Sequence, residues 1–319
     1  MDVKDKKILE ELFINSRIPI SILSKKVGVS REVAMYRIKK LQKSVIKEFY
    51  TIINYGSLGF RRHGVFMQLK GITSKKEKEF IEYLIKHDHV TYMSPIIGKW
   101  NLAFDVIVKD ETQLREIILQ LTAKIAPHIE SYIVTGTGLD MENYPIKYVG
   151  KISQNMRVKK NKPIKYELDD IDKKILKLMA QNSRIEYQEL SKKLKLAANT
   201  IKYRIKNMEK SGIILGYTIG IDHRTLDYEL YNLQLKLNNT ESSKFLAYIK
   251  NHQKTIYYYK HLGQENWDID IGVIVKSSKE FREFMIELKN SFGELIKIHD
   301  MYLILENVKD DYAPEGVFT

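Results

Sequence analysis

The chain has 319 residues, a formal net charge of +13, eight histidines and no cysteine. The length favours more than one domain, while 44% hydrophobic and 29% charged residues are ordinary for soluble proteins. No apolar run approaches the roughly 20 residues that span a bilayer, so we expect no membrane segment. The absent cysteines and the lack of HxxxH-type pairing predict no metal site. The charged start, Met1–Lys6, lacks the apolar stretch of a secretory signal and predicts a cytoplasmic protein.

The first segment is predicted to form a helix-turn-helix. Asp2 can cap a helix over 3–14, and a second short helix is expected over 20–27. Gly28 suits the left-handed position that ends a helix, and Ser30 can cap a third helix running to about Ser44. A helix, a tight turn and a second helix are the elements with which such domains read DNA.

The predicted third helix has an apolar face and a basic, aromatic face. Ala34, Ile38, Leu41 and Val45 share one side at helical spacing. Between positions 25 and 47 there are eight lysines and arginines and one acidic residue. The basic excess therefore favours DNA over a general lysine bias of the chain, which is the alternative. The candidate DNA-binding residues here are Ser30, Arg31, Glu32, Met35, Tyr36, Arg37, Lys39, Lys40 and Lys43. Arg37 lies at the edge of the buried face, where it could brace the domain, reach a phosphate or read a base.

An α/β domain is predicted next. After an alternating strand at 50–54, the pattern gives strands at 63–69, 90–97, 102–108 and 129–137, with helices at 74–87 and 111–126. This β-α-β-β-α-β order is ferredoxin-like. Because such a sheet leaves one face or edge bare, we expect the domain to pair with another copy, within the chain or in a homo-oligomer. A basic segment without periodicity follows at 139–168 and is interpreted as a linker.

The sequence then repeats itself at a shift of 167 positions, which indicates a tandem duplication. Asp5-Lys6-Lys7-Ile8-Leu9 returns as Asp172-Lys173-Lys174-Ile175-Leu176, and Trp100 returns as Trp267. The predicted domains are helix-turn-helix at 1–54 and 169–222, and ferredoxin-like at 55–138 and 223–319. Copy two has Lys195 and Ala197 where copy one has Gly28 and Ser30, so its third helix lacks an obvious cap. Its candidate DNA-binding residues are Asn199, Thr200, Lys202, Tyr203, Arg204, Lys206 and Lys210.

These motifs resemble the Lrp/AsnC (leucine-responsive, feast/famine) regulators. The resemblance rests on DxxDxxIL from Asp2, on the NSR, LSKK and YRIK segments of both copies, and on Val45–Ile52. It implies an α+β fold in which each winged helix-turn-helix precedes a ligand-sensing domain. It also implies an amino-acid effector near a glycine-containing turn, here at Gly98, Trp100, Asn101, Gly263, Trp267 and Asp268. Both copies depart from the family pattern of a threonine before the glycine and an acidic residue beyond it: copy one has Ile97 and Asn101, and copy two has Leu262, an insertion and Asp268. Asn101 offers no carboxylate for an effector's ammonium; a plain β-turn with packed tryptophans is the alternative.

The sequence therefore predicts a sequence-specific DNA-binding transcription regulator without a cofactor and with double-stranded DNA as its partner. The resemblance implies a small effector as a second partner. The sirohaem decarboxylases resemble this architecture, and a tetrapyrrole enzyme would use the histidines and arginines at Arg61, Arg62, His63, His87 and His89. Scattered surface residues are the alternative interpretation of this cluster. A DNA-compacting protein without sequence preference is a third reading, which the differing recognition faces disfavour.

Overall fold

A computed structural model describes residues 1–136, 141–143, 145–149, 166–240, 242–261 and 267–318. The chain divides into two compact units. The helix-turn-helix unit contains Met1–Phe60, Ile152–Asp222 and Tyr312–Thr319, and the α/β unit contains Arg61–Lys151 and His223–Asp311. Most of the predicted linker and the candidate Gly263 lie outside the described residues. No helix in the described part of the chain is long and apolar enough to cross a membrane.

The same order of elements occurs twice along the chain. Copy one, residues 1–149, contains α1 (Val3–Ile14), α2 (Ile20–Val27), α3 (Arg31–Gln42), β1 (Ile46–Ile53), β2 (Arg61–Leu69), α4 (Ser74–Lys86), β3 (Val90–Ile97), β4 (Leu102–Val108), α5 (Glu111–Ala123), β5 (Ile129–Gly136) and β6 (Met141–Asn143). Copy two, from residue 166 onward, contains α6 (Asp170–Gln181), α7 (Tyr187–Leu194), α8 (Ala198–Lys210), β7 (Ile214–Ile221), β8 (Glu229–Leu237), α9 (Ser243–Asn251), β9 (Thr255–Lys260), β10 (Ile269–Val275), α10 (Ser278–Phe292), β11 (Ile296–Ile304), β12 (Lys309–Asp310) and α11 (Glu315–Phe318).

The expected helix-turn-helix and β-α-β-β-α-β elements are present in both copies. The third helix ends at Gln42, not near Ser44, and the following strand begins at Ile46, not at Tyr50. The strand is longer than predicted because it pairs with a strand of the other copy from Ile46 onward. A partner strand that is distant in sequence leaves no signal in the local pattern.

Reciprocal caps begin the first helix of each helix-turn-helix. Asp2 accepts a hydrogen bond from the Asp5 backbone at 2.9 Å, and Asp5 accepts one from the Asp2 backbone at 3.2 Å. Asp169 and Asp172 form the same capping box on α6. Each box satisfies backbone donors that a helix start would otherwise leave free.

The two helix-turn-helix domains are joined by β1 and β7, which pair antiparallel. Tyr50 lies opposite Thr218 and Thr51 lies opposite Tyr217, so each residue meets the counterpart of its sequence neighbour. This exchange defines a local two-fold axis between the copies.

The chain end packs within the helix-turn-helix unit. The Tyr312 ring stacks on Tyr50 with centroids 3.7 Å apart, and the Tyr55 hydroxyl donates to the Tyr312 carbonyl. Glu315 on α11 forms an ion pair with Lys177 on α6. The predicted division assigned these residues to the second α/β domain, and their aromatic packing explains the different placement.

The α/β unit contains a single ten-stranded sheet in the order β5-β2-β4-β3-β11-β8-β10-β9-β6, with β12 pairing β3 off this path. The two α/β copies thus pair within one chain, where β3 meets β11 with Ile97 opposite Leu303. One sheet face of copy one packs on α4 and α5, around Phe80, Leu84 and Leu121. The expected pairing of α/β domains is therefore present inside the chain.

A short strand of each copy also pairs with a strand of the other copy. Met141–Asn143 of copy one pairs with β9 of copy two, and Lys309–Asp310 of copy two pairs with β3 of copy one. In the segment predicted as linker, Lys147 is buried and donates to the Lys250 and His252 carbonyls at 2.8 Å. Its burial lowers the pKa of the Lys147 amine to about 8. Residues 141–149 are thus part of the α/β unit, in contrast to the predicted linker.

The end of α7 contains a backbone conformation that its residue type disfavours. Gly28 follows α2 with φ +71°, whereas Lys195, its counterpart after α7, adopts φ +55°. The left-handed conformation raises the free energy of a residue that has a Cβ atom by roughly 1–2 kcal/mol.

We expect Lys195→Gly to stabilise the helix-turn-helix unit by about 0.5–1 kcal/mol, since relief of the strain exceeds the extra unfolded-state entropy of glycine. Chemical denaturation of the full chain measures the effect. Lys193→Ala, an exposed change on the same helix, is the control for the lost charge. An unchanged or lower stability of Lys195→Gly would contradict this account of the turn.

Candidate nucleic-acid interface

Helix α3 presents the two faces that the sequence predicts. Ala34, Ile38 and Leu41 are buried against the helix-turn-helix core. Tyr36 is 68% exposed and Met35 is 48% exposed, although both are large and apolar in part. The other exposed candidates on or beside this helix are Ser30, Arg31, Glu32, Lys39, Lys40 and Lys43. An aromatic ring held in solvent among lysines is a surface that suits a nucleic-acid groove.

Helix α8 repeats this arrangement with different chemistry. Ile201, Ile205 and Met208 are buried, while Tyr203 is 67% exposed. The other exposed candidates are Asn199, Thr200, Lys202, Lys206 and Lys210. The two helices therefore share an exposed tyrosine and the lysine three residues beyond it, and they differ in their first turns.

The starts of the two helices are capped differently. The Ser30 hydroxyl accepts a hydrogen bond from the Val33 backbone at 3.2 Å, as predicted. The pKa of Glu32 in the first turn of α3 is lowered, first by its own backbone amide and then by Ser30. On α8 the cap position is Ala197, which makes no side-chain hydrogen bond, so the expected absence of a cap is confirmed.

Arg37 and Arg204 contact carboxylates of their own helix-turn-helix. Arg37 Nη1 lies 2.7 Å from Asp2 Oδ2 and 2.7 Å from Asp5 Oδ1. Arg204 Nη1 lies 2.7 Å from Asp169 Oδ2 and 3.0 Å from Asp172 Oδ1. These contacts join the third helix of each domain to the capped start of the first. They favour the bracing role over base reading for both arginines.

Of these acidic partners, only Asp2 was assigned a role from the sequence, as a helix cap. The pKa of Asp169 is lowered by the Asp172 backbone amide and then by Arg204, and the pKa of Asp2 is lowered by equivalent contacts. The signal that could have revealed the pairing is the repeated spacing, since both aspartates and the arginine recur at the shift of 167.

The candidate effector turn of copy one is occupied by protein contacts. Trp100 is 4% exposed and belongs to the core shared by the two α/β copies. A Cβ atom on Gly98 would lie 3.0 Å from the Met301 carbonyl oxygen, so the close approach of β11 requires glycine there. These contacts favour the packed β-turn over an open effector pocket at Gly98 and Trp100.

Asn101 and Asp268 have equivalent backbone partners in the two copies. The Asn101 side chain accepts a hydrogen bond from the Leu69 amide at 2.6 Å, and Asp268 accepts one from the Leu237 amide at 2.7 Å. Asp268 also pairs with Lys236 at 2.9 Å. Trp267 is half-buried, and Gly263 lies outside the described residues.

A buried polar network in copy two was not predicted. Asp270 has no exposed side-chain surface, and its carboxylate accepts hydrogen bonds from Asn232, at 2.9 Å, from Tyr259, at 2.8 Å, and from Gln234. His261 Nε2 lies 2.9 Å from Asp270 Oδ1. Burial, together with the Asp270 charge, raises the pKa of Tyr259 well above its ordinary value. Ala103 is the counterpart of Asp270 in copy one, so only one copy carries the network.

The residues proposed for a tetrapyrrole site occupy separate places. Arg62 Nε lies 3.5 Å from Asp105 Oδ2, whereas His87 and His89 line a groove of about 450 Å³ with Tyr83. Burial lowers the pKa values of His63 and His87, so both imidazoles are neutral at neutral pH. Neutral imidazoles are poor electrostatic partners for the carboxylates of a tetrapyrrole.

Known proteins resemble this chain in sequence and in fold. Family profiles for the AsnC-type helix-turn-helix domain and for winged helix-turn-helix DNA-binding domains match residues 1–42 and 168–214. An uncharacterised HTH-type transcriptional regulator of Pyrococcus furiosus is 30% identical over 150 residues, which are 47% of this chain and 99% of the relative. The HTH-type transcriptional regulator FL11 of the same organism is 28% identical over 119 residues, 37% of this chain and 78% of that protein.

The solved structure of the siroheme decarboxylase NirDL has the same fold over the whole chain. It covers 98% of this chain and 97% of its own with a TM-score of 0.68, at 12% sequence identity. At that identity the likeness concerns the fold alone. The matched helix-turn-helix profile and the full-length match to an HTH-type regulator show the family: the chain belongs to the Lrp/AsnC family of transcriptional regulators.

Proposed function

We propose that the chain is a sequence-specific DNA-binding transcription regulator that acts in the cytoplasm and inserts α3 and α8 into the major groove. The observation that carries this proposal is the pair of exposed basic and aromatic faces, each on the third helix of a helix-turn-helix core. In this geometry exposed lysines hold backbone phosphates, and the first turn of the helix reaches base edges. The pairing of β1 with β7 brings both domains into one unit.

We assign separate roles to the residues of α3 and α8: phosphate contact, base contact and bracing of the domain. Lys39 and Lys206 follow the exposed tyrosines by three positions and are assigned to phosphates. Arg31 at the start of α3 suits guanine, while Asn199 at the start of α8 suits adenine through paired hydrogen bonds. Arg37 and Arg204 are assigned to bracing, because both are already engaged by two carboxylates.

An enzymatic role is the second candidate, favoured by the whole-chain fold likeness to a siroheme decarboxylase. The residues of this chain favour the regulator instead. The interior of its α/β unit contains the buried Asp270 side chain, and burial lowers the pKa values of His63 and His87, which disfavours the charged imidazoles that would attract a polycarboxylate substrate. Purified protein with a sirohaem or haem absorbance band after incubation with the tetrapyrrole would support the enzyme.

Modulation by a small effector stays a prediction from the family. Of the two turns, the one in copy two offers the carboxylate of Asp268, which an effector's ammonium would need, although Lys236 pairs with it. Thermal unfolding in the presence of each amino acid tests this, and a shift that is lost in Asp268→Asn would support it.

The first expected result is salt-sensitive binding to duplex DNA. Lys39→Glu and Lys206→Glu should each weaken binding and lower the slope of log affinity against log salt by about 1, since each removes a phosphate contact. Fluorescence anisotropy at several salt concentrations measures both quantities. Lys78→Glu, an exposed change on α4, is the control. Affinity that does not vary with salt would count against DNA as the partner.

The second expected result separates bracing from DNA contact on one helix. Arg204→Gln should lower the stability of the helix-turn-helix unit by about 1–3 kcal/mol, because the buried Asp172 carboxylate loses its charged donor. Lys206→Gln should weaken DNA binding and leave stability unchanged. Denaturant unfolding and anisotropy of both variants decide the assignment. Equal changes of stability and of DNA affinity in the two variants would show that the assignment of Arg204 to bracing is wrong.

The third expected result is an asymmetric operator. Because the first turns of α3 and α8 differ, sequences selected from a random DNA pool should contain two unlike half-sites, spaced about one helical turn or a multiple of it. Arg31→Ala should relax the preference at one half-site and Asn199→Ala at the other. Recovery of one perfect palindrome, bound equally by both variants, would refute this arrangement.

A further inference from the structure

Two arginines meet at the local two-fold axis of the helix-turn-helix unit. The copies share the sequence Asn-Ser-Arg-Ile, and the hydroxyls of Ser16 and Ser183 form a hydrogen bond of 2.6 Å. Arg17 Nη1 donates across the axis to the Ser183 carbonyl and, at 3.0 Å, to the Ile185 carbonyl. Arg184 Nη1 donates in the opposite direction to the Ser16 carbonyl. Each guanidinium is therefore fixed on the backbone of the other copy.

These two positive charges have no acidic partner among the described residues, since none of their nitrogens forms an ion pair within 4.0 Å there. Arg37 and Arg204 in the same unit differ, because each contacts two carboxylates. The pKa of Arg184 is lowered by burial and then by the charge of Arg17. The arrangement thus leaves two cations in partly desolvated positions with an uncompensated repulsion between them.

A groove lies where the two guanidinium groups meet. It has a volume of about 340 Å³ and is lined by both arginines together with Ile18, Pro19, Ile185, Glu186, Tyr187 and Gln188. This volume exceeds by far the roughly 30 Å³ of a water molecule. The Arg17 guanidinium lies 5.1 Å from the centre of the Tyr187 ring, which restricts its orientation. Glu186 is exposed and makes no ion pair with the arginines among the described residues.

The free donors of the groove suit an oxyanion. A guanidinium has five N–H donors, and the backbone contacts above use Nη1 of each arginine, so Nε and Nη2 stay available. The planar fork of arginine matches the oxygens of a phosphate group. The helices that begin beside the groove, α2 and α7, also lack a side-chain cap at their first turns.

We propose that this groove is a phosphate-binding site in which Arg17 and Arg184 hold one phosphate group across the two-fold axis. The phosphate comes from the DNA backbone at the centre of the operator or from a free phosphate-bearing molecule. Only the first of these sources rests on the proposed DNA-binding function. In either case the bound anion offsets the repulsion between the two arginines and strengthens the contact between the two helix-turn-helix domains.

Equilibrium dialysis of the full chain with radiolabelled inorganic phosphate tests the site at constant ionic strength. We expect one saturable site per chain in the wild type and its loss in Arg184→Gln. Lys193→Gln removes one positive charge from α7, next to the groove, and should bind phosphate like the wild type. An absence of saturable binding in the wild type, or equal binding by Arg184→Gln, would overturn the proposal.

Folding of the variant is checked by circular dichroism. If Arg184→Gln does not fold, Arg184→Lys retains the charge without the planar fork and should bind phosphate at least tenfold more weakly. Thermal unfolding gives a second measurement: at a phosphate concentration 100 times the dissociation constant, the folding equilibrium constant should rise about a hundredfold. The general stabilisation by phosphate as a salt does not saturate and persists in the variant.

Addition of a selected duplex to the labelled complex identifies the source of the phosphate. Displacement of the label indicates a DNA backbone phosphate, and retention of the label alongside the duplex indicates a free anion. If the chain binds no duplex, the proposed DNA-binding function fails, whereas the dialysis result still decides whether the groove binds phosphate.

Discussion

The antiparallel pairing of β1 with β7 is the contact on which the arrangement of the helix-turn-helix unit depends. At its centre Tyr50 faces Thr218 and Thr51 faces Tyr217. Both threonine hydroxyls form hydrogen bonds to the other copy. Thr51 donates to the Met179 carbonyl at 2.8 Å, and Thr218 donates to the Phe13 carbonyl at 2.9 Å. Each central strand is thereby tied to the end of the other copy's first helix. Loss of the partner of a buried hydroxyl costs about 1–3 kcal/mol, which favours threonine at this position in both copies.

Positions that do not contact the two-fold axis are free to differ, and the differences have separate physical consequences. Ala197 in place of the serine cap of copy one removes one hydrogen bond and leaves the helix in place, because the buried side of α8 still packs through Ile201 and Ile205. The strained Lys195 is tolerated for the same reason. Helical stability in a folded domain comes mainly from packing of the apolar face, so a lost cap or an unfavourable turn lowers stability without changing the fold.

The sequence predicted best those features whose cause is local. The capping aspartate Asp2, the glycine after α2 and the apolar spacing of α3 each act within a few residues, and the structure contains all of them. Features that depend on a distant partner were missed. The contacts of Arg204 with Asp169, the strand Lys309–Asp310 and the stacking of Tyr312 on Tyr50 join residues far apart in sequence. The candidate turn at Gly98 was ambiguous for the same reason, because the neighbouring strand β11 belongs to the other copy.

The two α/β copies differ where copy two carries the buried carboxylate of Asp270 and copy one carries Ala103. In a homodimer both copies would carry the same residue at this position, so a buried aspartate would occur twice. In this chain it occurs once, and its carboxylate is surrounded by side chains of its own copy, Asn232, Gln234, Tyr259 and His261. Covalent linkage makes each copy the constant partner of the other. The duplication therefore allows one copy to carry a buried polar network whose donors all lie within that copy.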